Sequence, residues 1–93
     1  MIKSFQHKSL QAFFESGTKA GIQAAHASRL SRMLARLNEA TDAQGMNVPD
    51  WKLHPLTGRE LKGHFSVWVN GNWRMTFAFD SPDDVLVDYQ DYH

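Results

Sequence analysis

The 93-residue sequence predicts one α+β domain, with two helices packed on one face of a small antiparallel sheet. Three observations predict it. Ala27, Leu30, Met33, Leu34 and Leu37 recur at the i, i+3, i+4, i+7 spacing of an amphipathic helix. Residues 65–69 and 72–79 flank Asn70-Gly71, a strong hairpin signal because both residues tolerate positive φ in a type I′ turn. The helical patterns also precede nearly all of the strand patterns. That segregation points to helices covering one sheet face rather than alternating with strands.

The expected order is β-α-α-β-β-β-β. Residues 2–5 read as a short opening strand. Residues 8–16 read as a helix carrying Leu10, Phe13 and Phe14 on one face, closed by Gly17 as a left-handed cap. The principal helix is expected over 23–41. Beside its apolar stripe, Arg29, Arg32 and Arg36 form a basic ridge, which suits either a solvated helix face or a polyanion. Residues 42–50 read as a loop broken by Gly45 and Pro49. A short strand is expected over 51–56, and a polar loop over 57–63. The hairpin follows, then a turn at 80–84 and a last strand over 85–89.

With Asn70 and Gly71 as the two turn residues, Val67 falls opposite Arg74. Trp73, Met75, Phe77 and Phe79 then share a face with Trp68 and meet the helices. Arg74, Thr76 and Ala78 point to the other face, expected to be open.

Composition bounds the answer. A chain this short buries only about 60–65% of its unfolded surface, so a single thin core is expected. Cysteine is absent, which removes disulfides and thiolate chemistry and fits a cytoplasmic location. No apolar run approaches the roughly 20 residues of a membrane span, and the opening residues lack a signal-peptide core. The formal net charge is zero. Residues 1–79 nevertheless hold all ten Lys/Arg and five Asp/Glu, a net of +5, while residues 80–93 hold five Asp and no base. A basic body suits a polyanion or an acidic partner.

Three places could carry chemistry. His54 lies in Lys52-Leu53-His54-Pro55-Leu56, Arg74 lies on the face expected to be open, and the chain ends in Asp91-Tyr92-His93. Two histidines, a tyrosine and an arginine are suited to cleaving a phosphodiester. The ribose 2′-OH must lose a proton, the 5′-oxygen must gain one, and the phosphate's developing charge needs a cation. Each residue has a structural alternative: His54 as a surface residue, Arg74 paired with Asp88 or Asp91, Tyr92 as packing. His54, His64, His93 and Asp91 lack close metal-ligand spacing, so no metal or other cofactor is expected.

The sequence resembles the HigB-type toxins of the RelE/ParE superfamily. The resemblance runs nearly the whole length. It rests on Met1-Ile2-Lys3-Ser4-Phe5, Lys52-Leu53-His54-Pro55-Leu56, Asn72-Trp73-Arg74-Met75-Thr76-Phe77 and Tyr89-Gln90-Asp91-Tyr92-His93, in order. It implies a RelE-like, microbial RNase-like fold and cleavage of messenger RNA in the ribosomal A site. It also implies a HigA-like helix-turn-helix antitoxin, operator DNA bound only through the toxin–antitoxin complex, and no membrane.

Carried over residue by residue, His54 matches an acid/base or phosphate-contacting histidine, and Arg74 matches the charge-stabilising arginine. Asp91, Tyr92 and His93 match the functional tail. Lys52, Arg59, Lys62 and Asn70 are the candidate RNA-binding residues. Thr57 stands where the family motif often continues with lysine, and Asn70 or Gly71 where relatives can carry arginine. A non-catalytic binding protein on the same fold, such as a gyrase inhibitor or an antitoxin-binding module, is the competing expectation.

Overall fold

The computed structural model describes residues 1–56, 63–80 and 83–91. Helix α1 spans Lys8–Ser16. The Leu10 backbone N–H donates to His7 Nδ1 at 3.0 Å, which caps the first turn. Gly17 closes the helix at φ 79°, its N–H reaching Phe13 O at 2.9 Å, the left-handed cap the sequence predicts.

Helix α2 spans Ala27–Glu39 and is entered through a single 3-10 turn, Ala24–His26. It is therefore shorter than the expected 23–41. Its buried residues are Ala27, Leu30, Met33, Leu34 and Leu37, the stripe read from the periodicity. Each larger side chain buried this way stabilises the fold by about 1.5–3 kcal/mol. Residues 42–51 are not plain loop: two 3-10 turns, Ala43–Met46 and Pro49–Trp51, drop Met46 and Trp51 into the core.

The sheet holds β1 (His54–Pro55), β2 (His64–Asn70), β3 (Trp73–Asp80) and β4 (Asp83–Asp91), in the order β1-β2-β3-β4 and antiparallel throughout. The first strand is only two residues long, because Trp51 belongs to a 3-10 turn and Lys52 takes a left-handed φ of 50°. The last strand is longer than the expected 85–89 and runs to Asp91.

The opening segment pairs with β4 in parallel through Ile2 with Asp84 and Phe5 with Val87. Lys3 N–H donates to Asp84 O and Gln6 N–H to Val87 O, both at 2.8 Å. The pairing consists of two bridges because β4 is irregular there. Leu86 adopts φ 56°, and its N–H donates to Ser4 Oγ at 2.9 Å.

The hairpin differs from expectation in one consequential way. Asn70 pairs with Trp73, so the two turn residues are Gly71 and Asn72, with Gly71 at φ 55°. Only Gly71 has positive φ, as in the turn that takes glycine at its first central position. One residue further back, Val69 is an extra residue on β2, and Trp68 then pairs with Arg74 and Val67 with Met75. The pairing is displaced by one residue from the expected register, which turns β2 over relative to β3. Val67 and Val69 join Met75 and Phe77 in the core. Trp68 moves to the far face beside Arg74. That face is only partly open: Arg74 is half-buried, while Ser66, Thr76 and Ala78 are buried.

One buried polar contact ties the far end of the sheet to the helices. His26 Nδ1 lies 2.6 Å from the Tyr89 hydroxyl, with both residues buried. Trp73 stacks on Tyr89 at 4.5 Å and meets His26 edge-on at 5.6 Å. Burial holds the His26 imidazole below its ordinary pKa and the Tyr89 phenol above its own. A neutral imidazole lets the Tyr89 O–H donate to Nδ1.

Leu86 is 38% exposed and left-handed, so Leu86→Gly should stabilise the fold by about 0.5–1 kcal/mol, read as a rise in the urea midpoint. For His26, the unfolded chain takes up a proton near pH 6.5 whereas the folded protein does so only at lower pH. Stability should therefore fall as pH drops from about 6.5 towards the folded value. Urea titrations across that range should show a weaker pH dependence in His26→Gln; an unchanged dependence would contradict the assignment.

Candidate active site

The far face of the sheet is assembled from alternate residues of four strands. Its cross-strand partners define one row, His54–Ser66–Thr76–Asp88, and a second row, Trp68–Arg74–Gln90. Neighbouring strands are about 4.8 Å apart, so His54 and the β3 row are two strand spacings, roughly 10 Å, from one another. The floor is made of short side chains, Ser66, Thr76 and Ala78. His54 is exposed at the β1 edge.

Arg74 is positioned by the hairpin turn. Its Nη1 donates to the carbonyls of Gly71 and Trp73, each at 3.1 Å. Gly71 O also accepts from Trp68 Nε1 at 2.9 Å, so one carbonyl holds two of the three residues of the second row. The carbonyls orient the guanidinium without neutralising it. Asp88 is occupied elsewhere: Oδ1 accepts from the Tyr89 N–H at 2.8 Å and Oδ2 from Gln90 Nε2 at 2.5 Å. Among the described residues, the ion pairs within 4 Å are those of the Met1 amino group with Asp83 and Asp84. The expected alternative of an Arg74–Asp88 pair is therefore not formed.

Gln90, rather than Asp91, stands directly across from Arg74. Asp91 is exposed and pairs with Trp73, so the pleat aligns it with Tyr89 on the helix side of the sheet. Lys52 is exposed, with Nζ 4.6 Å from the centre of the Trp68 ring. Asn70 is exposed at the end of β2, next to the turn rather than within it. Tyr92, His93, Arg59, Lys62 and Thr57 lie outside the described residues. The structure thus brings Arg74 and Lys52 together around Trp68, with His54 on the adjoining row. Among the described residues, no three His, Asp or Glu side chains are grouped to hold a metal ion.

Sequence reasoning missed Trp68, Ser66 and Gln90 as members of this face, and offered Asp88 only as an ion-pair partner of Arg74. The signal for Trp68 was available in Gly71-Asn72, itself a hairpin dipeptide with glycine first. Val69 as an added residue had no such signal. A valine fits a buried bulge and a regular strand equally well.

Two comparisons bear on this arrangement. Residues 3–93 match the family described as the RelE-like toxin of type II toxin–antitoxin system HigB. The chain is also 41% identical, over the full length of both chains, to a protein of Proteus vulgaris named Endoribonuclease HigB. A helix-covered antiparallel sheet with an arginine-bearing far face, and a family match over almost every residue, agree: the chain belongs to the HigB-like family of RelE-like toxins of type II toxin–antitoxin systems.

Proposed function

We propose that the protein is an endoribonuclease toxin that cleaves messenger RNA in the ribosomal A site, without a metal cofactor, and is neutralised by a HigA-like helix-turn-helix antitoxin. The observation that carries this reading is Arg74. Its guanidinium is fixed by two carbonyls, meets no carboxylate among the described residues, and shares the sheet face with His54. The relative from Proteus vulgaris, named as an endoribonuclease, supports the same reaction class.

In this reading the phosphodiester lies across the β2–β3 floor. The ribose 2′-oxygen loses its proton and attacks the adjacent phosphorus, and the bond to the 5′-oxygen breaks as that oxygen is protonated. The products are a 2′,3′-cyclic phosphate and a 5′-hydroxyl. Arg74 stabilises the charge that develops on the phosphate oxygens, an effect that in preorganised sites amounts to about 10²–10³ in rate. His54 and one tail residue, Tyr92 or His93, share the two proton transfers, each worth about 10²–10⁴. Asp91 orients the tail, while Lys52, Asn70, Arg59 and Lys62 hold the flanking RNA. The protein acts in the cytoplasm and meets operator DNA only through its antitoxin. Among the described residues no helix is long and apolar enough to cross a membrane.

A second reading, a binding protein such as a gyrase inhibitor, draws on Thr57 standing where the family motif often has lysine and Asn70 or Gly71 where it can have arginine. Mapping transcript 5′ ends after brief induction separates the two. Wild type should give new ends within open reading frames. Arg74→Ala should reduce their formation by about 10²–10³ in rate. Removing residues 92–93 should abolish it while the circular dichroism spectrum is retained. Intact transcripts during growth arrest by wild type would instead favour the binding protein.

A further inference from the structure

Outside the candidate active site, a groove of about 560 Å³ lies between α2 and the Pro49–Trp51 turn. Arg29, Arg32 and Arg36 line one side of it, over a floor that includes Ala35, Val48 and Trp51. At about 1.5 Å rise per residue, the three arginines span roughly 10 Å along the helix. We propose that this groove is a second RNA-binding site, which takes the phosphodiester backbone of a folded RNA and continues the candidate active face around the edge of β2. The proposal rests on the reading of the protein as an RNA-directed toxin and adds a second contact region to it.

Two of the arginines are held in place by backbone carbonyls. Arg29 Nη2 donates to Asp50 O at 2.7 Å, and its Nε and Nη2 both reach Trp68 O at 3.2 Å. Arg36 Nε donates to Gly45 O at 2.6 Å. A guanidinium has five N–H donors, so these bonds fix each group and leave others for a ligand. Arg32, between them, is exposed and makes no hydrogen bond or ion pair among the described residues. The carboxylates of Glu39 and Asp50 also border the groove, yet neither forms an ion pair with an arginine within 4 Å.

The link to the active face is Trp68. Arg29 Cζ lies 5.3 Å from the centre of its ring, and Lys52 Nζ lies 4.6 Å from the same ring. Across the ladder Trp68 pairs with Arg74. Arg36, Arg32, Arg29, Lys52 and Arg74 thus follow one another from the groove onto the sheet face. Anchored forked donors at helical spacing suit successive phosphates, with planar guanidinium groups matched to phosphate oxygens. An acidic protein segment, such as part of the antitoxin, is the competing occupant, and the same experiment separates the two.

The test is fluorescence anisotropy with a labelled RNA hairpin of generic sequence, measured over a salt series for wild type, Arg32→Glu and Arg32→Lys. Antitoxin binding and ribosome-dependent cleavage at saturating ribosomes are measured alongside. Arg32→Glu should weaken hairpin binding about tenfold or more and flatten the salt slope by about one. Arg32→Lys should keep most of the affinity. Antitoxin binding and the saturated cleavage rate should stay within about twofold of wild type. An unchanged affinity and slope in Arg32→Glu, or no hairpin binding by wild type, would overturn the proposal. Loss of antitoxin binding with RNA affinity intact would assign the groove to the antitoxin. Wild type that binds the hairpin through Arg32 but cleaves no transcript would leave the groove standing and remove the catalytic reading.

Discussion

Strand β3 has to satisfy two environments at once, and the rest of the molecule depends on that constraint. Met75 and Phe77 are buried under α2, while Arg74 and Thr76, the residues between and beside them, belong to the far face. A one-residue slip would drive the Arg74 charge into the core and lift Phe77 out of it. The register is therefore strongly specified by burial alone. Everything on the candidate active face inherits its position from this alternation: Trp68 and Gln90 flank Arg74 because their strands pair with β3 in that register.

The helical half of the fold was legible in the sequence for a simple reason. A period of 3.6 over the α2 stripe has few competing interpretations, and Gly17 marks the end of α1 by a property no other residue shares so cheaply. The sheet was legible in outline but not in facing. Asn70-Gly71 and Gly71-Asn72 are overlapping hairpin signals, and period-2 alternation cannot choose between registers that differ by one residue when a bulge can absorb the difference. Val69 does absorb it. That single residue decides whether Trp68 is a core side chain or a cation-flanked ring on the candidate active face. Lys52 shows the same limit. Its left-handed φ delays the start of the expected strand to His54, and nothing in Trp51-Lys52-Leu53 announces it.

The candidate site was readable residue by residue only where chemistry and position coincide. Arg74 could be placed from its strand parity, and His54 from the strand-ending Pro55. Asp91 could not, because its face depends on where β4 bulges. The Leu86 irregularity offsets β4 between Val85 and Asp88, and this sets the pairing of Gln90 with Arg74. Beneath that end of the sheet, the His26–Tyr89 contact and the Trp73 stack join β3, β4 and the entry to α2. The strand that runs to Asp91 is thus held at Tyr89 by a buried polar contact and aromatic packing.

The central claim is that RNA lies on the sheet face that carries Arg74, opposite the helices. The most direct measurement is an NMR titration of the labelled protein with a short 2′-O-methyl RNA, which has no free 2′-hydroxyl and cannot be cleaved by attack of that group. The account places the largest chemical-shift changes at the Trp68 indole, the Arg74 side chain, Ser66, Thr76 and His54, with Phe13 and Phe14 of α1 unaffected. Shifts concentrated on α1 with the sheet face silent would contradict it.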